Sequence, residues 1–162
     1  VLENLHTPRW AWVLNGSGHF FTESFALIHE LDFPDTMRVL HDKTASSVPV
    51  GAFYHGVYHT VVVAPASSNT VAKCVLGISD TLATNVFAQA GKCRVPAIVF
   101  ACDTAPELET MAPHGLVKVY PRQIDLEHTE RLKSFERTEV VESLADLKVA
   151  IRRRRTELQS DG

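Results

Sequence analysis

Between Tyr58 and Leu82 the chain reads YHTVVVAPASSNTVAKCVLGISDTL, and this stretch restricts the possible fold more than any other. Val61-Val62-Val63-Ala64 is a run of small or β-branched apolar residues, which suits a strand buried on both faces, as in a parallel sheet. Pro65 has no N–H to give to a sheet ladder, so the strand is expected to break there. Small polar residues follow (Ser67, Ser68, Asn69, Thr70), and Val71-Ala72-Lys73-Cys74-Val75-Leu76 then reads as helix. Ser68 or Asn69 is placed to cap that helix by accepting from its first free amides. A strand end, a loop of hydroxyls and amides, and a helix N-terminus come together. In an open α/β sheet, that edge binds a ligand carrying phosphate or a polar ring edge.

The 162 residues point to a single domain over 1–162, able to bury roughly two-thirds of its unfolded surface. With a net charge of -3 and no broad basic excess, the chain carries no electrostatic footprint for nucleic acid. Cys74, Cys93 and Cys102 lie in apolar surroundings without CxxC spacing, which reads as free thiols in a reducing compartment. No metal site is expected. No apolar run approaches the roughly 20 residues that span a bilayer, and there is no leader pattern, so no membrane contact and a cytoplasmic location are expected.

Taken in order, Trp10–Leu14 reads as a strand and Asn15-Gly16-Ser17-Gly18 as a tight turn. A helix begins near Thr22, with Phe21, Phe25, Ile28 and Leu31 as its apolar face. Strand, Gly-Ser-Gly turn and helix make either a phosphate cradle, open to an anion because glycine lacks Cβ, or a plain tight connection. No third glycine completes a dinucleotide fingerprint. Met37–Leu40 is a short strand, and Phe53, Tyr54, His55, Tyr58 and His59 form an aromatic and histidine cluster. That cluster suits stacking on a planar ligand or, equally, a packing surface between subunits.

Asp80–Ala90 reads as helix, Val95–Ala101 as a buried strand, and Cys102-Asp103-Thr104 as its ligand-side end. Asp103 is expected to cap a helix over Ala105–Met111. Leu116–Tyr120 is a strand, Asp125–Phe135 a helix, and Glu139–Val141 a strand or turn. Ser143-x-x-Asp146 has the form of a capping box for a last helix of about 143–158, which carries Arg152–Arg155 as a solvated, dipole-matched end. The alternation predicts an α/β fold: a doubly wound, flavodoxin- or Rossmann-like, mostly parallel sheet with helices on both faces. By pattern alone this is a nucleotide or flavin binder of open chemistry.

Pro65-Ala66-Ser67-Ser68-Asn69-Thr70 resembles the PASANT motif of the homo-oligomeric flavin-containing cysteine decarboxylase superfamily. Gly77-Ile78-Ser79-Asp80-Thr81-Leu82 is similar to the G-x-x-D-x-L that follows it there, and Gly16-Ser17-Gly18 to the turn of the same group. The resemblance runs from Trp10 to about Val141. Within the superfamily the chain looks most like archaeal-type flavoproteins and dihydromethanopterin reductases, through Ala11-Trp12, Val63–Ala66, Ile78–Asn85 and Asp125-x-x-x-Thr129-Glu130-Arg131-Leu132.

The resemblance implies FMN as cofactor, held at a trimer interface, with trimers able to build a larger cage. Gly16, Ser17 and Gly18 would meet the phosphate. Pro65, Ala66, Ser67, Asn69, Thr70, Asn85, Ala101 and Cys102 would complete the cofactor site. It further implies an electron donor that reduces the flavin and a dihydropterin that accepts hydride from it, with Tyr54, His55 and Tyr58 as candidate pterin contacts. The decarboxylases carry a histidine where this chain has Val50-Gly51-Ala52, and a PxMN-type segment where it has Ala101-Cys102-Asp103-Thr104. The flavin-prenylating relatives carry arginine in place of Asn85. These departures favour redox use of the flavin over decarboxylation or prenyl transfer; a non-catalytic flavin or electron carrier remains the other alternative. By comparison with the family and with ordinary crossover lengths, roughly 20 to 30 residues are expected to be absent near Leu31-Asp32.

Overall fold

A computed structural model describes residues 9–14, 20–31, 37–41 and 51–161. In chain order the elements are β1 (Arg9–Leu14), α1 (Phe21–Glu30), β2 (Met37–His41), a 3-10 turn (Ala52–His55), β3 (Tyr58–Ala66), α2 (Ser68–Leu76), α3 (Leu82–Lys92), β4 (Ala97–Ala101), β5 (Leu108–Ala112), β6 (Gly115–Val119), α4 (Gln123–Lys133), β7 (Thr138–Val141) and α5 (Leu144–Ser160). Five strands pair in parallel in the order β2-β1-β3-β4-β7, a doubly wound arrangement of the flavodoxin kind. The expected segment loss at Leu31-Asp32 falls at the limit of the described residues: Leu31 closes α1, and Asp32 lies beyond them.

Side chains alternate across this sheet and are buried on both sides, which is why β1, β3 and β4 are apolar almost throughout. On one face Trp10, Trp12, Leu14, Val62, Ala64, Ile98 and Phe100 pack on Leu27, Ile28 and Leu31 of the α1 segment and on Leu147, Ala150 and Ile151 of α5. On the other, Ala11, Val13, Val61, Val63, Ala97 and Val99 meet α2, α3 and Leu132 of α4. Trp12 donates its buried Nε1–H to the Ala64 carbonyl at 3.0 Å, tying β1 to the last turn of β3.

Several expectations need correction. Pro65 does not end the strand: β3 continues through Pro65 to Ala66, where the register with β4 shifts and no ladder donor is needed from the proline. The cap of α2 is Ser67, one residue ahead of those expected. Phe25 is exposed and lies edge-on to His29, while Ser24, Leu27 and Ile28 form the buried face of α1. Asp80 precedes α3, whose cap is Thr81, in a reciprocal capping box with Thr84.

No helix spans Ala105–Met111. Leu108, Thr110 and Ala112 alternate with the more exposed Glu109 and Met111, and this period of two gives strand β5. Pro113-His114-Gly115 then turns the chain into β6, with Gly115 at φ 126°, a conformation open to glycine. Arg152–Arg155 lie within α5, not at its end, because the helix runs on to Ser160. Arg155 donates to the Leu31 carbonyl at 2.9 Å and Arg153 pairs with Glu139.

Candidate functional site

The crossover from β1 leads to β2 on one side and that from β3 leads to β4 on the other, so the sheet changes winding direction between β1 and β3. The crevice beyond their C-terminal ends is where ligands settle in such sheets. Residues 15–19 lie outside the described residues, and with them Gly16, Ser17 and Gly18. Phe20, the residue ahead of α1, sits at φ 67° with its ring 5.2 Å from that of Phe100, which anchors the start of the helix over the sheet.

From β3 the buried Pro65 and Ala66 deliver the chain to Ser67. Ser67 has extended backbone, and its Oγ accepts the Thr70 N–H at 3.4 Å while donating toward Thr70 Oγ1 at 3.3 Å. Thr70 is thus a buried partner of the cap, whereas Ser67 and Asn69 are exposed. From β4, the Cys102 N–H donates to the Ala66 carbonyl at 3.1 Å. Asp103 accepts the Ser68 N–H on Oδ2, also at 3.1 Å, so it caps α2 across the sheet edge. Asn85 is half-buried in the first turn of α3. The structure therefore gathers Pro65, Ala66, Ser67, Asn69, Thr70, Ala101 and Cys102 at one corner.

Burial first, and then the Asp103 charge, push the Cys102 thiol up to about 12, so it is protonated at neutral pH and no nucleophile. Hydroxyls, an amide and a protonated thiol can bind and orient but supply no strong acid or base. Among the described residues no group of three or more His, Cys, Asp or Glu is placed to hold a metal ion. Among them also, no helix is long and apolar enough to cross a membrane.

Tyr54, His55 and Tyr58 stand elsewhere. Tyr58 opens β3 and the other two stand in the 3-10 turn before it, about 30 Å of extended chain or more from Ser67. Tyr58 is buried, its ring centroid 4.9 Å from that of Phe53, and so offers no face to a ligand. Tyr54 and His55 are exposed, with the Tyr54 hydroxyl donating to Gln89 at 2.8 Å. Within one chain they cannot share a ligand with the Ser67 corner.

A cavity of about 300 Å³ opens at this same N-terminal edge, among Thr60, Ile98, Arg137, Glu139, Arg154 and Glu157. Arg154 there donates from Nε to Thr60 Oγ1 at 3.1 Å and from Nη2 to the His59 carbonyl at 3.3 Å, and reaches Glu157 from Nη1. The Thr60 hydroxyl also shares a hydrogen bond with Nδ1 of His59 at 2.8 Å. Burial and the adjacent Arg154 charge lower the His59 pKa to about 4. This chain of side chains fastens α5 to β3. The exposed polar groups that converge lie instead at the Ser67 corner. Sequence reading missed both the Asp103 cap and the His59–Thr60–Arg154 chain; only the position of Asp103 right after a buried strand hinted at the first.

The Flavoprotein family matches residues 13–157 of the chain. Burkholderia xenovorans DmrB, whose crystal structure in complex with FMN is described as a cubic protein cage for redox transfer, superposes with a TM-score of 0.81. It is 46% identical over 94% of this chain and 97% of its own. An uncharacterised protein of Methanocaldococcus jannaschii is 40% identical over 104 residues, 63% of this chain and 56% of that protein. The dihydromethanopterin reductase (acceptor) of Methanosarcina mazei is 28% identical over 144 residues, 67% of this chain and 60% of the reductase. The chain thus spans between 56% and 60% of the length of the curated relatives it matches.

Proposed function

The chain belongs to the flavoprotein family, and from that premise we propose that it binds FMN and acts as a flavin-dependent reductase whose acceptor is dihydromethanopterin or a close dihydropterin. One observation carries the proposal: the exposed hydroxyls and amide of the Ser67 corner stand at the switch point of a sheet that is nearly coextensive with FMN-bound DmrB. The corner fits such a cofactor chemically: Ser67 and Asn69 are exposed donors and acceptors, and the buried Pro65, Ala66 and Ala101 hold the loop behind them in place. The turn at Gly16, Ser17 and Gly18 is proposed to take the phosphate, and Asn85 to contribute from α3.

When bound, the cofactor supplies hydride transfer between an electron donor and the pterin. The protein binds it, shields it from water and orients it. Cys102, protonated, adds bulk and a weak donor without competing chemistry. Since Tyr54 and His55 project from the far edge, we assign them to a pterin only as contributions from a neighbouring copy, in a trimer that builds further into a cage. Three free thiols suit a reducing compartment, and we place the protein in the cytoplasm.

A second reading, a flavin carrier without pterin chemistry, is favoured by the description of DmrB as a cage for redox transfer. One experiment separates them: visible spectra of the anaerobic protein, loaded with FMN and chemically reduced, before and after dihydromethanopterin is added. Return of the oxidised flavin absorption supports the reductase; lasting bleaching favours the carrier; failure to take up FMN removes both.

A further inference from the structure

Asp103 has no part in the reading above beyond capping, yet it places a full negative charge at the cofactor corner. The carboxylate is half-buried and held by the Ser68 N–H at 3.1 Å, in an elbow closed by the Cys102–Ala66 and Thr70–Ser67 bonds. The positive end of the α2 dipole favours an anion here, and Asp103 is that anion. A phosphate brought to the same amide would meet like charge. The corner is therefore suited to the uncharged ring of a flavin and unsuited to its phosphate.

We propose that Asp103 is a positioning residue that biases the redox poise of the bound flavin, holding a fixed negative charge that weakens binding of the reduced form relative to the oxidised one. The proposal rests on the assignment of FMN to this corner. Reduction at neutral pH adds two electrons and one proton to the ring, leaving it one unit more negative, and that unit is penalised beside a carboxylate. A flavin so biased is a stronger reductant and passes hydride on more readily. The charge is felt locally: Asp103 is the second cause, after burial, of the raised Cys102 pKa.

The test uses wild-type protein, Asp103→Asn and Asp103→Ser, all reconstituted with FMN. Both variants keep an oxygen acceptor for the Ser68 amide, so one remains if the other does not fold. Binding of oxidised FMN is read from quenching of flavin fluorescence, and the reduction potential from anaerobic equilibration with dithionite and a reference dye. Removing the charge should leave oxidised FMN affinity within about threefold and favour the reduced form by about tenfold, a potential about 30 mV higher for a two-electron couple. Unchanged potentials with FMN bound overturn the bias and leave the flavin assignment standing. Loss of oxidised FMN from folded variants reduces Asp103 to a structural cap and overturns the bias as well. A wild-type chain that takes up no FMN removes the assignment and the bias together.

Discussion

Acidification should unfasten α5 from β3 through a single histidine. His59 Nδ1 shares a hydrogen bond with the Thr60 hydroxyl, which also accepts from Arg154, so protonating the half-buried ring places a cation near a guanidinium. The folded-state pKa of about 4 lies below the ordinary histidine value of 6.5. The unfolded chain therefore binds more protons between these values. The His59 contribution is fully present above about pH 6.5 and is lost as pH falls toward 4. The gap between 6.5 and about 4, discounted for the solvent that still reaches this half-buried ring, corresponds to about 2 kcal/mol in full and to about 1 kcal/mol already lost at pH 5. Urea unfolding followed by tryptophan fluorescence, at about pH 7.5 and about pH 5, on wild type and His59→Gln gives the measurement, since glutamine can accept from Thr60 but does not titrate. Wild type should lose about 1 kcal/mol more than the variant over that interval. Equal losses would show that the His59–Thr60–Arg154 chain has no part in acid sensitivity.

Ser67→Ala removes the α2 cap and should cost about 1 kcal/mol in thermal unfolding, together with weaker FMN binding in a fluorescence titration. Unaltered FMN affinity would take Ser67 out of the cofactor site. Trp12→Phe deletes a fully buried donor and leaves the Ala64 carbonyl without it, a loss of about 2 kcal/mol in urea. A loss below about 0.5 kcal/mol would mean that this bond does not tie β1 to β3. Cys74 and Cys102, both with thiols pushed up to about 12 by burial, should resist an aromatic disulfide reagent near pH 8 in the native protein and react at once in urea. Fast labelling of either in the native state would contradict the burial.

Much of the fold was legible because its signals are local. Val61–Ala64 needs no partner to read as a doubly buried strand, and Leu82, Val86 and Ala90 carry helical spacing on their own. The misreadings came where a distant element decides. Ser67 caps α2, and the Ser68 amide that follows it is taken by Asp103, 35 residues away. Phe25 lies at helical spacing from Phe21 and Ile28, but the sheet meets α1 along Ser24, Leu27 and Ile28. Four successive arginines look like a solvated helix end until the surfaces they reach, at Thr60, Leu31 and Glu139, are in place. In the Ser67 corner the residue types were readable from the motif. The grouping with Tyr54, His55 and Tyr58 was not, since nearness along the chain hides that a strand carries its two ends apart.

Helix α5 lies far along the chain from the elements it fastens, yet it closes contacts with β3 and with the end of α1. Arg154 spans 94 and 95 residues to Thr60 and His59, and Arg155 spans 124 to Leu31. Leu147, Ala150 and Ile151 also cover the sheet face built from Trp10, Trp12 and Phe100. A nascent chain leaving the ribosome must therefore carry that apolar face uncovered until α5 has emerged, a state open to wrong pairing and aggregation. Contacts of such sequence separation also slow folding, because the intervening chain must be closed before they form. Removing α5 would thus leave the protein at its most exposed folding stage.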